Sequence, residues 1–167
     1  MKTNQTGRPV IAMKTSAGFA LEGEAWRRAV AAARKQIAAW GLKMPALHPP
    51  LAYHFGLNDF YKTGEIEFWV ANTIEDGYCG KFLFVFDGQT CPYHHHARKH
   101  ETFFIVKGRV RMRIDGRNRT LKAGDVFAVQ PGVDHAFTGL GPALLMEVSK
   151  PCRNRDSIFA DRRIGRL

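Results

Sequence analysis

Beyond residue 64 the chain is a succession of short β-rich runs: IEFWVAN, GKFLFVFDG, ETFFIVKG, RVRMRIDG, RTLKAGD, VFAVQPG, HAFTG and ALLMEVS. They recur roughly every 8–12 residues with Gly, Asp or Pro at nearly every joint, which predicts a sandwich or barrel. No helical run interrupts them, and that argues against a parallel α/β sheet. In one run Arg109, Arg111 and Arg113 alternate with Val110, Met112 and Ile114, so that strand keeps one face in water.

Upstream the sequence changes character. LEGEAWRRAVAAARKQIAAWG reads as one helix, with Trp26, Val30, Ala33, Ile37 and Trp40 at helical spacing. Glu22 and Glu24 near its start and Arg34 and Lys35 towards its end suit the helix dipole, and Gly41 stops it. Its apolar stripe predicts packing on the domain or on a second subunit rather than on a membrane. The first 20 residues have no clear period and read as an arm. KMPALHPPLAYHFGLND is a connector in which Pro45, Pro49 and Pro50 bar regular helix. The C-terminal NRDSIFADRRIGRL is polar and reads as irregular. The expected division is an arm and amphipathic helix over residues 1–48 and an all-β barrel domain over 49–167.

With 167 residues, 45% of them hydrophobic and 24% charged, the chain has the size and composition of one ordinary globular domain. No apolar run is long enough to cross a bilayer, and VIAM near the N-terminus is too short for a signal-peptide core. Cys79, Cys91 and Cys152 are odd in number, far apart in sequence and without C-x-x-C spacing, which fits a reduced cytoplasmic protein. The net charge is +10, and residues 1–48 hold eight Lys/Arg against two Glu. No helix-turn-helix, zinc-finger or aromatic stacking signature accompanies that charge, so nucleic acid is not an expected partner.

Four of the seven histidines fall in HHHARKH, residues 94–100, and Glu101 follows at once. Side chains two apart on a strand share a face, so His94 and His96 point one way and His95 the other. Glu101 lies far enough on to enter the next strand, and His135, in PGVDH after a Pro-Gly turn, is a distant fourth candidate. An antiparallel barrel can bring these four to its mouth. Three imidazoles and one carboxylate suit Mn²⁺, Fe²⁺, Co²⁺, Ni²⁺ or Zn²⁺, and four protein ligands leave positions open on an ion that prefers six. His95 and His100 read as ordinary polar loop residues.

The spacing Gly88-x5-His94-x-His96-x4-Glu101-x6-Gly108 matches the first motif of the cupin superfamily. GDVFAVQPGVDHAF resembles the second, departing by one residue between Gly124 and Pro131 and lacking the asparagine after His135. The resemblance implies a small antiparallel jelly-roll barrel. Cupins host oxygenases, isomerases, sugar-binding regulators and storage proteins, so fold and metal alone do not select a reaction. Three stretches are more specific: FWVANTIEDGYCGKFLFVFDGQTCPYHHH, LLMEVSKPCRNRDSIFADRRIGR and YHFGLNDFYKTG resemble the D-lyxose isomerase family of cupins, over about residues 53–166. That family implies an aldose–ketose isomerase acting on D-lyxose and D-xylulose, often also on D-mannose and D-fructose, usually with Mn²⁺.

Such a reaction removes a proton from carbon beside a carbonyl, which requires a base not tied up on the metal. Glu147 is the candidate: in LLMEVSK it shares a face with Leu145, while Met146 and Val148 face the other way. Burial there is expected to raise its pKa towards a useful value. Lys81 is the sole charge in YCGKFLFVF and matches a lysine of the family; it is expected to donate to a substrate oxygen, with a plain Glu–Lys salt bridge as the structural alternative. Phe103 and Phe137 are placed to wall the pocket, and the likeness of the tail implies sugar contacts for Asp161 and Arg163. Only ARK and His100 separate His96 from Glu101, shorter than in some members of the family, which predicts a more open mouth. Two other readings use the same four ligands, an iron-dependent cupin dioxygenase and a sugar-binding cupin without turnover. A base beside the metal is what separates the isomerase from both. A homodimer is expected.

Overall fold

The computed structural model of the chain describes residues 18–165. Most of the expected N-terminal arm therefore lies outside the described residues. Its end is tied to the barrel, because the Phe19 carbonyl accepts from the backbone N–H groups of His54 and Phe55, at 2.8 and 3.0 Å.

Among the described residues one helix, α1 (Gly23–Ala39), precedes eleven strands. These are β1 (Leu51–Tyr53), β2 (Glu65–Thr73), β3 (Tyr78–Val85), β4 (Thr90–His96), β5 (Glu101–Lys107), β6 (Arg109–Ile114), β7 (Arg117–Lys122), β8 (Val126–Val129), β9 (His135–Gly139), β10 (Ala143–Ser149) and β11 (Ser157–Phe159). They form a six-stranded sheet in the order β1-β2-β3-β10-β5-β8 and a five-stranded sheet in the order β11-β4-β9-β6-β7. All the paired strands of both sheets run antiparallel. This is the all-β architecture that the strand pattern predicts, in the jelly-roll form that the cupin resemblance implies. The C-terminal segment departs from expectation, since Ser157–Phe159 form β11 and pair with His94–His96 of β4.

Local sequence explains the tight connections. The β6–β7 hairpin closes through Asp115 and Gly116, at φ 44° and 79°, a two-residue turn whose twist matches the strands it joins. Between β5 and β6, Gly108 has φ 78° and a Cβ there would stand 2.3 Å from the Pro142 carbonyl oxygen, so only glycine fits.

Two apolar layers hold the fold together. Between the sheets, Leu83, Phe103, Ile105, Met112, Leu121, Phe137 and Leu145 are buried in one cluster. On the outer face of the larger sheet, Ala29, Ala33 and Ile37 of α1 meet Ile66, Phe68, Phe84 and Leu144. Each large side chain so buried contributes about 1.5–3 kcal/mol. The helical stripe is the one read from the sequence, and it packs on the chain's own barrel. Trp26 is part of it, and its indole N–H donates to the Pro50 carbonyl at 2.8 Å.

This roof inverts β2. Ile66 and Phe68 are committed to α1, so alternation turns Glu65 and Glu67 into the barrel, where both are buried. Among the described residues no helix is long and apolar enough to cross a membrane.

Candidate active site

Neighbouring strands bring His94, His96, Glu101 and His135 together. His94 lies opposite His135 in the β4–β9 pairing, after a register shift that begins at Cys91. Glu101 opens β5, where it faces Ser149 of β10 on one side and Val129 of β8 on the other. One ligand atom from each of the four residues lies within 4.8 Å of the other three, and all four side chains are buried. His94 Nδ1 donates to the Pro92 carbonyl at 2.7 Å, and His135 Nδ1 to the Val133 carbonyl at 3.0 Å. A carbonyl only accepts, so each ring holds a hydrogen on Nδ1, the tautomer that in a neutral imidazole leaves the Nε2 lone pair for a cation. His94 Nε2 and His96 Nε2 are 3.3 Å apart.

The charge state suits cation binding. Burial first, then the nearby His135, holds the His94 pKa well below the usual imidazole range; burial and Lys99 do the same for His96. Glu101 goes the other way: burial would raise its pKa, but Lys99 and His135 pull it well below the usual carboxylate range. Glu101 Oε1 and His135 Nε2 are 2.7 Å apart, yet neither completes a hydrogen bond. Two buried polar atoms converging without satisfying each other fit a cation between them.

A ladder of alternating charge runs on from Glu101. Lys99 Nζ lies 2.6 Å from Glu101 Oε2 and 2.9 Å from Glu147 Oε1. Glu147 Oε2 is 3.4 Å from Lys81 Nζ, and Lys81 bonds closely to Glu67 Oε1. Pairing in the larger sheet sets this order, since Glu147 of β10 stands between Lys81 of β3 and Phe103 of β5. Ser149 Oγ also donates to Glu147 Oε1 at 2.8 Å. Lys99 is held by its backbone: Asp156 accepts from the N–H groups of Arg98 and Lys99 at 3.0 and 3.2 Å.

The expected pKa of Glu147 needs correction. Burial raises it, but the two ammonium groups of Lys81 and Lys99 outweigh that effect and the net shift is downward. Burial also opposes the charge on both lysines, and their carboxylate neighbours (with Cys152 beside Lys99) reverse it, so each stays protonated. The expected Glu147–Lys81 pair is therefore present, as one rung of a longer network.

Aromatic rings wall the cavity. Phe103 and Phe137 line it, as the sequence suggests. Phe159 of β11 stacks on His94 with centroids 5.2 Å apart and planes at 29°. Phe55, held at φ 55°, tilts against Phe159 at 5.6 Å. Asp161 and Arg163 are elsewhere: they pair with one another at 2.6 Å and are not among the residues lining the cavity. His95 bonds to Asp134 at 2.8 Å, away from the cluster. The short stretch between His96 and Glu101, expected only to open the mouth, turns Lys99 inward.

Sequence reasoning missed Lys99, Tyr53, Phe55, Glu65, Glu67 and Phe159, all of which line the cavity. The only signal for Glu65 and Glu67 was their alternation with Ile66 and Phe68, which states that the strand has two faces without saying which is inside. The cysteines, far apart in sequence, also converge: Cys79 Sγ and Cys152 Sγ are 3.6 Å apart, and Lys99 Nζ is 3.9 Å from Cys152 Sγ.

Comparison with known proteins agrees with this geometry. The cupin domain model matches residues 82–149. The chain is 30% identical over 141 residues to the D-lyxose/D-mannose isomerase of Thermosediminibacter oceani, covering 68% of this chain and 77% of that protein. It is 30% identical over 142 residues to the D-lyxose ketol-isomerase of Cohnella laeviribosi, covering 68% and 76%. Among solved structures, L-ribose isomerase of Cellulomonas parahominis superposes with a TM-score of 0.72 at 17% identity, over 89% of this chain and 97% of that one, which bears on the fold alone. Fold, buried cluster and sequence relatives converge: the chain belongs to the D-lyxose isomerase family, sugar ketol-isomerases built on the cupin barrel.

Proposed function

We propose that the protein interconverts D-lyxose and D-xylulose, and D-mannose and D-fructose, with Glu147 as the proton carrier. One observation carries this reading: Glu147, flanked by the Lys81 and Lys99 ammonium groups that hold its pKa down, stands outside the four-residue cluster yet is linked to it through Lys99. A base in that position stays free to act on carbon.

His94, His96, Glu101 and His135 would hold a divalent ion, with Mn²⁺ the expected species and Fe²⁺, Co²⁺, Ni²⁺ or Zn²⁺ served by the same donors. The depressed pKa values of His94, His96 and Glu101 favour neutral imidazoles and an ionised carboxylate, the forms a cation needs. When bound, such an ion supplies Lewis acidity towards the C1 and C2 oxygens of a sugar.

The chain's own groups do the rest. Glu147 takes the proton from C2 of the aldose and returns it to C1, and a proton moves from the C2 hydroxyl to the C1 oxygen, so the ketose forms with no net loss or gain. Lys81 and Lys99 remain cationic and donate hydrogen bonds to the oxygens where negative charge develops. Phe55, Phe103, Phe137 and Phe159 keep bulk water from the carbanion.

The test is direct: the Mn²⁺-loaded protein is expected to form D-xylulose from D-lyxose. A folded, metal-loaded sample that makes no ketose from any aldopentose or aldohexose overturns the reading. Buried free thiols favour a reducing, cytoplasmic setting. A homodimer is proposed through the outer face of the larger sheet, where Phe104, Val126 and Val148 are exposed. A monomeric mass by light scattering would refute it.

A further inference from the structure

Three side chains in one wall of the cavity end in polar atoms that nothing in the described protein satisfies. Tyr53 Oη, Glu65 Oε2 and Glu67 Oε2 are buried without a hydrogen-bond partner. The residues are 3%, 5% and 4% exposed, and all three line the cavity that holds the four-residue cluster. Tyr53 and Glu65 are direct partners in the β1–β2 pairing, and Glu67 is two residues further along β2 on the same face. An unpaired polar atom in a protein interior is costly, and three in one patch are explained most simply by a ligand that pairs with them.

The chemistry of the patch defines that ligand. Burial first, and then Glu67, keeps the Tyr53 hydroxyl protonated, so it donates. Burial first, and then Glu67, pushes Glu65 up to about 8, so near neutral pH it is a carboxylic acid that both donates and accepts. Glu67 Oε1 is taken by Lys81, which leaves Oε2 to accept. Alternating donors and acceptors on a rigid strand pair match a row of sugar hydroxyls. They do not match a phosphate: among the described residues no arginine lines the cavity, and Lys81 is already bracketed by Glu67 and Glu147. The ladder Glu101–Lys99–Glu147–Lys81–Glu67 leads from the four-residue cluster to this patch, so a sugar reacting at C1 and C2 beside Glu147 extends its other carbons towards it.

We propose that Tyr53, Glu65 and Glu67 form a specificity subsite that binds the sugar hydroxyls remote from the reacting carbons and restricts the enzyme to unphosphorylated sugars. The proposal rests on the isomerase reading for its substrate, though not for its ligand class.

Two substitutions test it, Tyr53→Phe and Glu65→Gln, each assayed with D-lyxose, 4-deoxy- and 5-deoxy-D-lyxose and D-lyxose 5-phosphate. A non-reacting pentitol, D-arabinitol, is titrated by calorimetry in parallel. The wild type is expected to reject the phosphate and to disfavour at least one deoxy sugar, because a site built to bond a hydroxyl discriminates against its absence. Each variant should raise KM for D-lyxose and weaken pentitol binding by roughly tenfold, the effect of one hydrogen bond, and should lose most of the deoxy discrimination. Tyr53→Phe should also melt at or above the wild-type temperature, since it deletes an unpaired buried hydroxyl; this separates lost recognition from a damaged fold. Variants with wild-type KM, pentitol affinity and deoxy discrimination overturn the subsite, as does a wild type that accepts the 5-phosphate as readily as D-lyxose. If the wild type makes no ketose at all, the isomerase reading fails, and pentitol binding lost in Tyr53→Phe still supports the subsite while unchanged binding sinks it.

Discussion

Lys99 Nζ lies 2.9 Å from Glu147 Oε1, and the two residues are 4% and 2% exposed. An ion pair this deep exists to be kept whole, since removing one partner strands the other charge in the interior at a cost of about 3–5 kcal/mol. The pair also joins the proposed base to Glu101 of the four-residue cluster, which Lys99 contacts at 2.6 Å. Its integrity is therefore the first thing to test.

Lys99→Met is expected to lower kcat/KM by roughly 100-fold, through lost stabilisation of charge on the substrate oxygen. With one of its two cations gone, the Glu147 pKa moves up, and the acidic limb of the kcat/KM profile moves to higher pH with it. An unmoved acidic limb in that variant would dissociate Glu147 from the chemistry.

Glu147→Gln keeps the shape of the side chain and removes its basicity. Turnover of D-lyxose should fall by about 100- to 10,000-fold, the usual worth of a positioned base. Metal content, read by elemental analysis, should stay at the wild-type level because Glu147 lies outside the four-residue cluster. Full activity in this variant removes the base assignment even if the reaction stands.

Chelator-treated protein should be inactive and recover with Mn²⁺. Adding Mn²⁺ to the stripped protein at a hundredfold excess over Kd should stabilise it by about 2.7 kcal/mol, seen as a raised melting temperature. His135→Ala deletes one of the four proposed ligands and leaves Glu101 Oε1 without its neighbour, so the Mn²⁺-dependent rise should shrink or vanish. A chelated sample with undiminished activity would exclude a metal role.

Glu65 makes a prediction about stability alone. Its folded pKa of about 8 stands above the ordinary 4.5, so the native state keeps a proton that the unfolded chain releases. The corresponding stability is complete below about pH 4.5, declines as pH rises through 8, and is gone above that value. Denaturant titration should show the wild type losing on the order of a few kcal/mol between pH 5 and pH 9, with Glu65→Gln losing much less. Glu101 and Glu147, whose pKa values are depressed, contribute in the opposite window: their stability is present above the ordinary carboxylate range and lost only as pH falls below it. The two effects are thus separable by pH. Equal slopes for wild type and variant would refute the buried, protonated state of Glu65.

Much of this protein follows from periodicity and spacing. Turn residues at regular intervals require short antiparallel strands, alternation puts His94 and His96 on one face, and the 3.6-residue period marks the stripe of α1 that packs on the barrel. A lone Glu147 in an apolar strand signals its own importance, because a buried charge needs a partner. Those are local properties, and local sequence contains them.

Which face of a strand is inside is not local. Glu65 and Glu67 alternate with Ile66 and Phe68 as in any half-exposed strand, and only α1, lying over the apolar face, turns the two acids into the barrel. Lys99 reads as a spacer until Asp156, 57 residues on, binds its backbone and orients it. Phe159 sits in a polar tail until β11 pairs with β4. The direction of the Glu147 pKa is decided by two ammonium groups 48 and 66 residues away in sequence. Electrostatic and packing energies depend on distances through space, and those exist only once the chain has closed upon itself.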